Sequence, residues 1–266
     1  MRFKFFRALA LVAIGIASST ALSATKESSP SRPIIKGLKL RCRPAADTQK
    51  CAKAYSRIVA DFALVNSLTF KSRSAMLARE FGPSAEPKDL IKFITDRVVT
   101  IYIQTDAFMP GINARYDETT RSIFVPERFY TEGNPFMRFA LLMHEARHDE
   151  DRFNHTACRS RSTRKVLQRE TINLARFEET CDDASNGPYG IEAMTLASLV
   201  FDSSAKMTAF EREMSLQLAV RSFYRVSDDR ALGDLLSEAF PPNVGESLLK
   251  PSDGNLEDWY LKIRAL

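Results

Sequence analysis

All three histidines of the 266-residue chain fall in one twelve-residue window, His144-Glu-Ala-Arg-His148-Asp-Glu-Asp-Arg-Phe-Asn-His155. The window opens with H-E-x-x-H. On a helix, positions i and i+4 share a face, so the imidazoles of His144 and His148 can bind one ion. Glu145 sits beside them, placed to take a proton from a water on that ion. With so few histidines, chance gives this pentapeptide in only about two of a thousand chains of this composition, which favours a selected site. Zinc is the expected ion, and it needs a third protein ligand. His155 is the leading candidate, with Asn154 supplying a left-handed turn that carries the chain back to the metal. Tyr189 is a candidate hydrogen-bond donor to an oxyanion, against the blander role of a packed loop anchor.

At His144-Glu145-x-x-His148 the chain resembles the zincin metallopeptidases, and with His155 it is most similar to their metzincin branch, H-E-x-x-H-x-x-G-x-x-H. It looks closer still to a group of secreted bacterial zincin-like proteins with His-Glu-Ala-Arg-His, a trailing histidine and a nearby cysteine. The resemblance covers residues 98–195. It implies a metal helix behind a small sheet whose edge strand binds extended substrate. It also implies a zinc-dependent hydrolysis of peptide bonds with Glu145 as general base. The chain departs from the metzincin pattern: the gap from His148 to His155 is one residue longer, Asp151 fills the glycine position, and no Met-turn is evident, although Met194 is available. Other zincin branches offer different third ligands. A glutamate on a downstream helix would be Glu192, and an aspartate near a Tyr-Gly pair would be Asp183 or Asp182. The competing function is a non-catalytic zincin-like domain that binds zinc or a cell-envelope partner.

The elements that must position these residues are readable from periodicity. Helices are predicted over 46–66, 72–81 and 86–96. The β-branched stretch 97–105 reads as a strand with Val99, Ile101 and Ile103 on one face, and residues 114–116 and 122–125 as a hairpin or two edge strands. Asn134-Pro135 opens a helix predicted to run over 135–152. Helices are predicted at 190–202, 204–226, 228–238 and 255–264. The fold class is α+β, helix-dominated, with a small sheet preceding the metal-binding helix. Residues 37–266 read as one domain: a helical part 37–96, the sheet and site helix 97–195, and a helical part 196–266.

Residues 1–24 combine a basic start, a short apolar run and small residues near the end, the pattern of a cleaved signal peptide. Residues 25–36 read as a Ser/Pro linker. The formal charge of +5 then falls to +2, because Arg2, Lys4 and Arg7 leave with the signal. A balanced surface gives no footprint for nucleic acid, and the apolar run is too short for stable membrane insertion. The expected location is secreted or periplasmic, and the expected partner a peptide or protein substrate. In an oxidising compartment the simplest pairing of the four cysteines is Cys42–Cys51 and Cys158–Cys181. The alternative makes Cys158 a metal ligand, as the end of H-x-x-C after His155. The basic run 159–165 reads as a solvated loop.

Overall fold

The computed structural model describes residues 33–35, 37–71, 75–109, 113–130, 133–156 and 181–226. The expected signal peptide, most of the linker, Cys158, the basic run 159–165 and the helices at 228–238 and 255–264 lie outside the described residues. The fold is mixed α+β, as expected. Its strands are β1 (Pro33–Ile35), β2 (Leu38–Cys42), β3 (Thr100–Gln104), β4 (Arg115–Asp117) and β5 (Ser122–Pro126). Its helices are α1 (Thr48–Asn66), α2 (Ala75–Phe81), α3 (Pro87–Arg97), α4 (Pro135–Arg147), α5 (Pro188–Phe201) and α6 (Ala209–Phe223).

The strands form one sheet in the order β1-β2-β3-β5-β4, with β2, β3 and β5 parallel and both edge strands antiparallel to their neighbours. Two of these strands were not expected. Residues 33–35 fall inside the segment read as a linker, yet they pair with β2 across a turn in which Gly37 takes φ of 99°. Proline is tolerated there because it opens an edge strand. β2 itself alternates Leu38-Lys-Leu40-Arg-Cys42, with Leu38 and Leu40 buried; that alternation is a strand signal too short to stand alone. Within β3, Ile101 and Ile103 are fully buried as expected, whereas Val99 precedes the strand and stays 39 % exposed. The 114–125 segment is the expected hairpin, turned at Arg121 with φ of 47°.

One face of the sheet packs on helices. Leu40, Ile101 and Ile123 lie in register and share one apolar core with Ile58, Phe62, Phe139, Leu142, Leu196 and Val220. Helix α4 starts as predicted: the Asn134 side chain caps the Met137 N–H, and Pro135 occupies the first turn. It is anchored to α1 by a buried pair in which Arg138 donates from Nε and Nη2 to Asp61, both at 2.7 Å, and by the edge-on contact of Phe62 with Phe139. It ends sooner than predicted. His148 is its C-cap, and His148, Asp149 and Glu150 donate backbone N–H groups to Glu145, Ala146 and Arg147, a three-residue pattern that tightens the chain into turns. Three acids beyond the C-terminus, where the helix dipole disfavours them, are consistent with this stop. Helix α6 likewise starts later than predicted, at a Thr208–Glu211 capping box. Met194 lies buried inside α5 rather than in a turn. Among the described residues no helix is long and apolar enough to cross a membrane. Cys42 and Cys51 form the expected disulfide, tying the end of β2 to the first turns of α1.

Candidate metal centre

The three predicted histidines come together. Each offers one ligand atom within 4.8 Å of the others. His144 and His148 contribute from the last turn of α4 and its cap, with ring centroids 5.3 Å apart. His155 returns to them, its ring 5.2 Å from His144 and 4.7 Å from His148. The return does not use the expected left-handed Asn154, since Arg121 is the one non-glycine residue with positive φ among the described residues. Asn154 instead donates from its side chain to the Asp151 carbonyl, and Phe153 is buried as a hydrophobic pivot. Thr156 then pairs backbone to backbone with Cys181, which fixes the strand-like exit of the turn.

Every imidazole has an oxygen acceptor at Nδ1: Glu192 Oε2 at 3.2 Å from His144, the Phe153 carbonyl at 3.0 Å from His148, and Asp182 Oδ1 at 3.1 Å from His155. A carboxylate or carbonyl accepts only, so each Nδ1 carries the proton and each Nε2 keeps its lone pair for an ion. Burial holds His144 and His148 neutral, lowering both to about 3, with the neighbouring imidazoles adding to the effect. Three converging imidazoles, one buried and two half-buried, with carboxylates behind two of them, could hold one metal ion.

Glu192 therefore stands behind His144, at the ring nitrogen that holds the proton, and is itself held by the Ser222 side chain with Arg225 and Arg221 nearby. Asp182 has two functions. One oxygen accepts from His155, and the other accepts the Tyr189 N–H at 2.6 Å and the Gly190 N–H at 3.3 Å, at the start of α5. Asp183 accepts from the Thr156 hydroxyl at 3.0 Å. The Tyr189 ring stacks on His155 at 4.7 Å and meets His144 edge-on at 4.6 Å. Its hydroxyl accepts from Arg225 Nη1 at 3.0 Å. Sequence reasoning missed Arg225, a lone arginine after a helix with no motif around it.

Glu145 is buried beside the triad. Burial raises its carboxyl to about 8 and Glu192 adds to the rise; the Tyr116 backbone N–H and the charge of Arg115 oppose it. Tyr116 lies in the edge strand β4, and giving its N–H to a carboxylate on α4 turns its peptide group away from β5, toward the edge that no other described strand pairs. The Tyr116 hydroxyl is bonded to Asp149, just past α4, so strand and helix are clamped side by side. The other member of the motif, Arg147, is almost wholly buried. It pairs with Glu80 of α2 at 2.6 Å and donates from Nε to the Asn186 carbonyl at 2.9 Å, which holds the 182–190 turn against α4. No family model, curated protein or solved structure matches the chain.

Proposed function

We propose that the protein is a zinc-dependent peptidase of the zincin type that works outside the cytoplasm, with His144, His148 and His155 as metal ligands and Glu145 as general base. The observation that carries the reading is the convergence of three Nε2-presenting histidines beside a buried carboxylate and the outer edge of β4, which no other described strand pairs. Bound zinc would lower the pKa of a ligated water toward about 7 and polarise the scissile carbonyl. Glu145 takes the proton of the attacking water and passes it to the leaving amine. An extended peptide added to β4 would use the edge strand's backbone for pairing, which brings its carbonyl to the triad. Tyr189, whose ring lies against His155 and His144 and whose hydroxyl accepts from Arg225, donates to the developing oxyanion. Arg225 then acts as its positioning residue.

Glu145→Gln tests the reading. The variant should bind one zinc per chain and lose peptide hydrolysis. Hydrolysis at the wild-type rate in that variant would overturn the assignment, and a wild-type chain that purifies without any divalent metal would overturn the ligand set.

A further inference from the structure

We infer that the outer face of the sheet selects peptides with an acidic side chain beside the cleaved bond, and that Arg115 is the residue that reads it. This rests on the peptidase reading and adds a substrate class to it. In register across four strands, Arg41, Tyr102, Phe124 and Arg115 stand in one row. Directly opposed residues point to the same face, and this face is the one away from the helical core that takes Leu40, Ile101 and Ile123. The Tyr102 and Phe124 rings stack at 5.2 Å with 13° between their planes. Arg43 lies over both rings at 4.7 and 5.0 Å, and Arg115 lies over Phe124 at 5.4 Å. Lys39, Arg43 and Arg115 are exposed. Among the described strand residues of this face, the one carboxylate is Asp117, whose Oδ1 accepts the Thr120 N–H. Neither Arg43 nor Arg115 pairs with a carboxylate among the described residues.

The basic row ends at the outer edge of β4, which borders Glu145 and which no other described strand pairs. Arg115 sits on β4 next to Tyr116, whose N–H reaches Glu145, and the charge of Arg115 is felt at that carboxylate. A peptide strand added at this edge sets one side chain on the Arg115 row, with its Cβ about 5 Å from that of Arg115. Because the row meets the edge beside the general base, that side chain lies within a few residues of the scissile bond. A guanidinium preset by stacking on Phe124 can accept a carboxylate with little further ordering, and repels lysine or arginine at the same place.

The test uses the zinc-loaded full chain and positional-scanning peptides that carry Glu, Gln or Lys at each of the positions flanking cleavage. One position should favour Glu over Gln by about tenfold in kcat/KM, with Lys worse than Gln. Arg115→Gln should erase the preference, Arg115→Lys should keep most of it, and Arg115→Glu should invert it. Binding of the same peptides to Glu145→Gln, followed by fluorescence anisotropy, should show the same order without turnover, and lose it in Glu145→Gln/Arg115→Gln. Cleavage or binding with no acidic preference, or a preference that survives Arg115→Gln, would overturn this inference and leave the peptidase reading intact. Failure to cleave or bind any peptide would overturn both.

Discussion

Glu192 is the residue whose chemistry the sequence left most open. Its place four residues into a helix admits either a ligand or a simple charge in a first turn. The structure puts it at the Nδ1 of His144, 3.2 Å away and 3 % exposed, where it fixes the tautomer and direction of the ring. An orienting carboxylate of this kind is worth about 10- to 100-fold in metal affinity. Glu192→Ala should therefore weaken zinc binding by about that factor, measured against a competing chelator, while His144→Ala should abolish tight binding. Glu192→Gln keeps an oxygen acceptor for the Nδ1 proton and should recover most of the loss. If Glu192→Gln were as damaging as His144→Ala, Glu192 would be a ligand and the triad incomplete. Tyr189→Phe probes a different function on the same wall of imidazoles. It should leave zinc affinity near wild type and lower kcat by about 100-fold, as loss of one oxyanion donor does elsewhere. An unchanged kcat would reduce Tyr189 to a packed ring.

At the scale of elements, the turn from Cys181 to the start of α5 depends on two glycines. A Cβ on Gly187 would stand 2.7 Å from the Asp182 carboxylate carbon, and one on Gly190 would overlap the Ser185 carbonyl oxygen. The second contact is with backbone and cannot be relieved by a side-chain rotation. Gly190→Ala should push the 182–190 turn off α4, destabilise the fold by about 1–3 kcal/mol in denaturant titrations, and weaken zinc binding through the displaced Asp182. A variant with normal zinc affinity would show that His155 is oriented without Asp182. This turn also marks where sequence reading stopped. The motif on α4 was legible because its spacing matches a helical turn, and Ile101, Ile103 and the 114–125 hairpin were legible because alternation reports burial. The link from His155 to Asp182 joins residues 27 apart through a backbone bridge at Thr156 and Cys181. No local period encodes it. The same holds for β2, whose parallel partner β3 lies some 60 residues on; β1 is a strand only because it pairs with β2, not through the propensity of Pro33–Ile35.

Across the whole molecule, the site depends on holding α4 against two different surroundings. On one side the Asp61–Arg138 pair ties it to α1, with both side chains buried and joined by two hydrogen bonds. On the other, the metal would join α4 to the segment carrying His155. These are independent supports, one fixed in the fold and one dependent on a ligand. Removing one member of a buried pair strands its partner, so Asp61→Ala should cost about 3–5 kcal/mol. Arg138→Ala should cost a comparable amount, and the double variant much less than their sum. Zinc held by the folded chain would stabilise it by RT ln(1 + [Zn]/Kd), about 4 kcal/mol at a thousandfold excess over Kd. Chelation should therefore lower the melting temperature of the wild type and of Asp61→Ala by similar free energies. It should leave His148→Ala nearly unmoved, because that variant has little bound metal to lose. Equal melting temperatures for wild type with zinc and with chelator would mean that the three histidines hold no ion in the folded protein. A chelation effect that disappears in Asp61→Ala would mean instead that the α1–α4 pair is what keeps the last turn of α4 in register for the metal.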